Sequence, residues 1–110
     1  MIVKIKKSTA FGRVKAPPSK SMAHRLLLCG ALSQGESVIS GLAFSKDIEA
    51  TLGCLKALGA DAKVEGDTVT LGGIDINKGV TSPELFCNES GSTLRFLIPL
   101  CLMFDEKITL

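Results

Sequence analysis

Pro17 and Pro18 keep a helix from starting before Ser19, and nearly everything after Ser19 asks for one. A residue that precedes proline is steered out of the helical region, so Ala16 to Pro18 runs extended. The chain then reads Ser19-Lys20-Ser21-Met22-Ala23-His24-Arg25 and continues into Leu26-Leu27-Leu28-Cys29-Gly30-Ala31-Leu32. This pattern predicts a helix over about Ser19 to Ser33. Its middle is apolar nearly all round, which predicts burial. Gly35 supplies the stop.

The start of this helix carries the chemistry. Ser19 is a good N-cap, because its hydroxyl can accept a bond from an early helical N–H. A first helical turn has free N–H groups and the positive end of the dipole. Lys20 adds a full charge, Ser21 a hydroxyl, and Arg25 a guanidinium one turn further along the same face. Together these make a candidate anion site. The same residues also fit an ordinary helix start, with Ser19 as cap and Lys20 and Arg25 solvated. This stretch alone supports both readings.

A second turn repeats the logic. Asn88-Glu89-Ser90-Gly91-Ser92-Thr93-Leu94-Arg95 leads into another apolar helix, Phe96 to Met103, expected to bend at Pro99. Gly91 permits a sharp backbone turn and close approach of a ligand. Ser90, Ser92 and Thr93 offer hydroxyls, and Arg95 lies one turn in. Taken alone, a Ser/Gly-rich turn is most often only a cap. Two such turns, each with an arginine one turn along, point to a ligand with more than one anionic group.

The remaining pattern gives the fold class. Ile2 to Lys7 alternates apolar and polar residues, as a half-buried strand does, and Phe11 to Lys15 repeats the alternation. Ser37 to Ser40 is a short strand closed by Gly41. Ser45 is placed to cap a second helix, with Asp47 and Glu49 near its positive end and Ile48, Leu52, Leu55 and Leu58 along one face. Gly59 ends that helix. Asp61 to Leu71 reads as a hairpin around Glu65-Gly66-Asp67, with Ala62, Val64, Val69 and Leu71 as its apolar members. Asp75 to Pro83 is a loop, Glu84 to Cys87 a short strand, and Ile108 to Leu110 the start of another. The expectation is an α+β chain. It holds one βαβαββ unit of about sixty residues and the start of a second.

Length and composition narrow the class further. The 110 residues, 45% of them hydrophobic, allow one domain at most. The longest apolar run, Phe96 to Phe104, is too short to span a bilayer, and the opening residues lack a leader's apolar region. The expectation is a cytoplasmic protein with no membrane partner. Cys29, Cys54, Cys87 and Cys101 show no CxxC spacing and read as small buried hydrophobes in a reducing compartment. One histidine and no Cys/His cluster argue against zinc. The net charge of +2 is too small to indicate nucleic acid. Residues 1–25 nevertheless hold Lys4, Lys6, Lys7, Arg13, Lys15, Lys20 and Arg25 and no acid, a local field suited to a small anion. For Lys4, Lys6 and Lys7 a protective role at a strand edge is the simpler account. A small RNA-binding α/β module would use the same basic strands. The five Phe, with no Trp or Tyr, offer few bases a stacking surface.

At the two anion turns the chain resembles the 5-enolpyruvylshikimate-3-phosphate synthases, the carboxyvinyl transferases of the shikimate pathway. Pro18-Ser19-Lys20-Ser21 with Arg25 matches the family's PxSKSxxxR motif, and Cys87 to Arg95 resembles its Asn-Ser/Ala-Gly-Thr-x-Met-Arg turn. Phe44-Ser45-Lys46-Asp47 falls where the family has an acidic helix start. The alternative, the related transferases acting on UDP-N-acetylglucosamine, typically have Lys-Asn at this place, so Ser21 favours the shikimate branch. In this chain Glu89 stands where the family has Asn, and Ser92 and Leu94 replace Thr and Met.

The resemblance implies a two-domain fold of βαβαββ units with the active site between the domains. The 110 residues would be a partial N-terminal domain whose partner is the remaining C-terminal portion. It implies transfer of enolpyruvyl from phosphoenolpyruvate to shikimate 3-phosphate, with no metal or organic cofactor. Lys20 would contact phosphoenolpyruvate near shikimate 3-phosphate, and Ser21 and Arg25 would hold shikimate 3-phosphate. The Gly91 backbone would border phosphoenolpyruvate, with Arg95 supporting that pocket. The family's acid–base residues lie in later sequence, so no catalytic residue is expected in this chain and the fragment is expected to be inactive. Glyphosate competes with phosphoenolpyruvate in this family, and Gly91 rather than Ala implies a sensitive full enzyme.

Overall fold

Ile48, Leu52, Leu55 and Leu58 form the apolar stripe that their spacing predicts, and all four are buried in a computed structural model that describes all 110 residues. The elements run α1 (Lys20–Leu32), β1 (Glu36–Ile39), α2 (Lys46–Ala57), β2 (Asp61–Glu65), β3 (Thr68–Gly72) and α3 (Gly91–Cys101), with a short 3-10 turn at Ile76–Lys78. The sheet has the order β1-β3-β2 and is antiparallel throughout. Ile39 stands opposite Val69, and Val69 opposite Val64. Alternation decides which side chains face inward. Ala62, Val69 and Leu71 are buried, whereas Val38 and Val64 point outward.

Leu27 from α1, Ile48 and Leu55 from α2, Val69 and Leu71 from β3, and Leu97 from α3 make one core. α1 lies against β1, β3 and α2, and α2 lies against β2 and α3. Two close approaches hold this packing. Gly30 faces Leu71 and Ser37, and Gly73 passes directly over the Ser33 carbonyl, where a Cβ has no room. Gly59 takes φ +105° at the end of α2, as its stop position requires.

Several expectations fail, each for a physical reason. Met1 to Lys7 and Phe11 to Lys15 form no strand, and every residue from Met1 to Ser19 is exposed. Alternation makes a strand only beside a hydrogen-bonding neighbour, and neither edge of the three-stranded sheet receives this segment. The unit therefore lacks its opening strand. The extended arm lengthens the molecule to 59 Å and raises its radius of gyration to 17.2 Å. A folded chain of this length ordinarily has about 13 Å. Glu84 to Cys87 and Ile108 to Leu110 reduce to one parallel bridge between Glu84 and Thr109. α1 is not buried all round. It buries Ala23, His24, Leu27, Gly30 and Ala31 and leaves Met22, Leu26, Cys29 and Leu32 outward. Of the four cysteines, only Cys54 and Cys87 are buried. No helix is long and apolar enough to cross a membrane.

Candidate functional site

Three helices begin at one end of the molecule, and their first turns are tied together. Ser19 caps α1 by accepting the Met22 N–H at 3.3 Å. Ser90 caps α3 by accepting the Thr93 N–H at 3.3 Å. α2 starts at Ser45, whose hydroxyl makes no capping bond, contrary to the sequence reading. That hydroxyl oxygen is buried without a partner. The Lys20 ammonium bridges from α1 to the Asp47 carboxylate on α2 at 3.1 Å. The Asp47 backbone carbonyl lies 3.3 Å from the Thr93 hydroxyl of α3. The first turn of α2 is thus gripped from both sides.

Between these helix starts lies a cleft of about 820 Å³ lined by Lys20, Ser45, Lys46, Asp47, Asn88 and Glu89. Two ammonium groups and two carboxylates share it. Of the five residues singled out by sequence, Lys20 is the one on its wall. The other four pair along their own helices. Arg25 donates to the Ser21 carbonyl at 2.8 Å and also to the Ser21 hydroxyl. Its guanidinium lies 5.4 Å from the centroid of the Phe96 ring on α3, a cation–π distance. Arg95 donates from Nε to the Gly91 carbonyl at 3.1 Å. Phe96 follows Arg95 directly, so the two arginine motifs meet where α1 faces α3. Lys20, Ser21, Arg25, Gly91 and Arg95 are all exposed and within reach of a ligand.

The second turn departs from its sequence reading in two ways. Its sharp bend belongs to Asn88, at φ +51°, and Gly91 is an ordinary first helical residue. Open space faces the Gly91 Cα, so close approach rather than conformation is what a side chain there would obstruct. The Ser90 and Thr93 hydroxyls, expected to face a ligand, are buried and bond to each other at 2.6 Å.

Behind the cleft runs a set of polar side chains that sequence reasoning missed. His24 Nδ1 lies 2.8 Å from the Thr51 hydroxyl, and Thr51 lies 2.8 Å from the Thr93 hydroxyl. His24 is 3% exposed, and Thr51 and Thr93 are 1% exposed. Burial is the main cause that lowers the His24 pKa below its ordinary 6.5. The Asp47 carboxylate opposes that shift, and the Lys20 and Arg25 cations reinforce it. The available signal was position: His24 and Thr51 interrupt the apolar stripes of α1 and α2. Burial beside Cys87 and Cys101 pushes the Cys54 thiol up to about 12.

Residues 5–110 match the family described as EPSP synthase (3-phosphoshikimate 1-carboxyvinyltransferase). A 3-phosphoshikimate 1-carboxyvinyltransferase of Clostridium perfringens (strain SM101 / Type A) is 55% identical over 97 residues, covering 88% of this chain and 23% of the relative. One from Clostridioides difficile (strain 630) is 46% identical over 112 residues, covering 94% of this chain and 26% of the relative. The chain therefore spans about a quarter of the length of these relatives. Among solved structures, an EPSP synthase from Acinetobacter baumannii superposes with a TM-score of 0.67 at 28% identity. It covers 78% of this chain and 20% of its own.

Proposed function

The chain belongs to the EPSP synthase family, and on that premise we propose that it supplies the phosphate-binding wall of a carboxyvinyl transferase. The reaction attaches the enolpyruvyl group of phosphoenolpyruvate to a hydroxyl of shikimate 3-phosphate and releases phosphate, in the cytoplasm. The observation that carries this reading is the convergence of Lys20 and the Gly91 turn on the two sides of Asp47. Family membership disfavours the RNA-binding alternative, and Lys20-Ser21 favours the shikimate branch over the UDP-sugar one.

In this reading Lys20 lies between the two substrates, and its charge stabilises negative charge that builds up as the phosphate leaves. Ser21 and Arg25, already paired, hold shikimate 3-phosphate. The bare Gly91 backbone admits phosphoenolpyruvate, and Arg95 stiffens that turn through the Gly91 carbonyl. These groups position and stabilise, and none of them moves a proton. The acid–base groups belong to the rest of a two-domain enzyme of which this chain is the N-terminal portion. The 110 residues alone are therefore inactive, and enolpyruvyl transfer by the pure chain would contradict that.

The test is an amide NMR titration of the chain with shikimate 3-phosphate, with sulfate as control anion. Shifts confined to residues 19–25 and 90–95, at lower concentrations than sulfate requires, are expected. Equal responses to both anions would sink the substrate assignment.

A further inference from the structure

The contacts of the buried polar set favour one ordering of protons over its opposite. A threonine or serine hydroxyl has one proton to donate and two lone pairs to accept with. Thr93 has one hydroxyl proton and three oxygen neighbours: Thr51 Oγ1 at 2.8 Å, Ser90 Oγ at 2.6 Å and the Asp47 carbonyl at 3.3 Å. The carbonyl can only accept and Ser90 Oγ is placed to accept from Thr93, whereas Thr51 can donate or accept. The Thr93 proton is therefore directed at Ser90 and the Asp47 carbonyl, which share it, and Thr93 accepts from Thr51. Thr51 then has no proton left for His24, so the fourth contact, at 2.8 Å, needs a proton on His24 Nδ1. In the opposite ordering Thr51 donates to Nδ1 and Thr93 to Thr51, and neither Ser90 nor the Asp47 carbonyl receives a proton. His24, Thr51, Thr93 and Ser90 are buried and Asp47 is half-buried, and an unmade bond costs most where water cannot replace it.

We infer that His24 is a positioning residue: its Nδ1–H starts a relay through Thr51 and Thr93 that ends on Ser90 and the Asp47 carbonyl and holds Asp47, and through it Lys20, in place. The relay joins α1 and α2 about one turn behind their first residues to the first turn of α3. It sets the first turn of α2 relative to the other two. Asp47 carries the consequence to the cleft, since its carbonyl shares the end of the relay while its carboxylate holds the Lys20 ammonium. His24 itself touches no ligand position. The importance of Lys20 to a substrate rests on the reading above, whereas the proton order and the placement of Asp47 do not.

The chain has one histidine, so imidazole ¹⁵N NMR of the labelled protein reads its tautomer without assignment. Above the His24 pKa, a protonated Nδ1 and a bare Nε2 are expected, and an Nε2–H ring would overturn the inference. Thr51→Val removes the acceptor and should move the proton to Nε2. His24→Leu should shift the Lys20 and Asp47 amide signals, and His24→Asn, which keeps an N–H donor, should bring them back toward wild type. Unmoved Lys20 and Asp47 signals in His24→Leu would overturn the positioning role. Should His24→Leu not fold, Thr51→Val decides by the same two amides. Shikimate 3-phosphate failing to bind, with Nδ1–H present, would remove the substrate reading and leave the relay standing.

Discussion

Lys20 and Asp47 lie 27 positions apart in sequence, and their side chains meet at 3.1 Å across the starts of two helices. The pair is the outward end of a connection that begins at buried His24. It places a carboxylate against the ammonium proposed to receive an anionic ligand. Free Lys20 would attract anions more strongly, so Asp47 trades affinity for a fixed ammonium.

Asp47→Asn should therefore strengthen binding of inorganic phosphate at the cleft while lowering stability by no more than about 1 kcal/mol, the usual range for an exposed pair. Phosphate titration followed by NMR, with a thermal melt alongside, checks both parts. Weaker phosphate binding in the variant would show that the pair orients Lys20 more than it neutralises it. The same substitution removes the group that raises the His24 pKa, so that pKa should fall further.

Stability should decline as pH drops below 6.5, in a part that depends on His24. Its folded-state pKa is depressed, so the unfolded chain takes up a proton first. More protons on the unfolded state means that stability rises with pH. Above 6.5 neither state is protonated and the group contributes nothing. The loss grows as pH falls from 6.5 toward the folded value and levels off beneath it. Subtracting urea melts of His24→Asn from wild type at each pH isolates the effect from the carboxylates. A flat difference would contradict it.

Gly73→Ala should destabilise by about 1–3 kcal/mol, as overpacking does. The new Cβ would collide with the Ser33 carbonyl, and a backbone atom cannot swing aside as a side chain can. Gly91→Ala, by contrast, faces open space and should leave the melting temperature unchanged. A melt of each variant separates the two cases.

Thiol reagents should modify Cys29 quickly and Cys54 only as fast as the protein opens. Cys29 is exposed on α1, whereas Cys54 is buried with its thiol held protonated. The thiolate is the reactive form. Mass spectrometry of a labelling time course gives the order, and early labelling of Cys54 would contradict its burial.

Removing residues 1–17 should leave the melting temperature where it was. All of them are exposed, and none takes part in a backbone hydrogen bond outside the helices and strands. A clear drop would mean that the arm packs onto the domain in solution.

The parts of this fold that were legible in the sequence are those governed by near neighbours. The stripe Ile48, Leu52, Leu55 and Leu58 repeats within one helix, and Val69 and Leu71 alternate within one strand, so local spacing located them. Gly59 and Gly66 mark turns by their own positive φ values. The arm was misread because Val3 and Ile5 can announce an apolar face but not the strand that would pair with it. The buried set was missed because its members are 27 and 42 residues apart, and a helical threonine looks alike whether it faces water or another hydroxyl. The site divides the same way. Lys20 and Arg25 were visible beside their helix start, whereas Asp47's grip on Lys20 depends on packing that no short window contains.

The sheet order β1-β3-β2 also dictates when each strand can join. β2 and β3 are separated only by Gly66 and Asp67, so their pairing closes a very small loop and can form within microseconds. β1 pairs with β3 only after all of α2 and the hairpin have been spanned, and the entropy of that closure must be met before any contact repays it. The hairpin is thus the early half of the sheet and β1 the late one. α1, which rests on both β1 and β3, reaches its final seat only when β1 docks. The helix that presents Lys20 is among the last pieces to settle, so the proposed anion-binding edge matures at the end of folding.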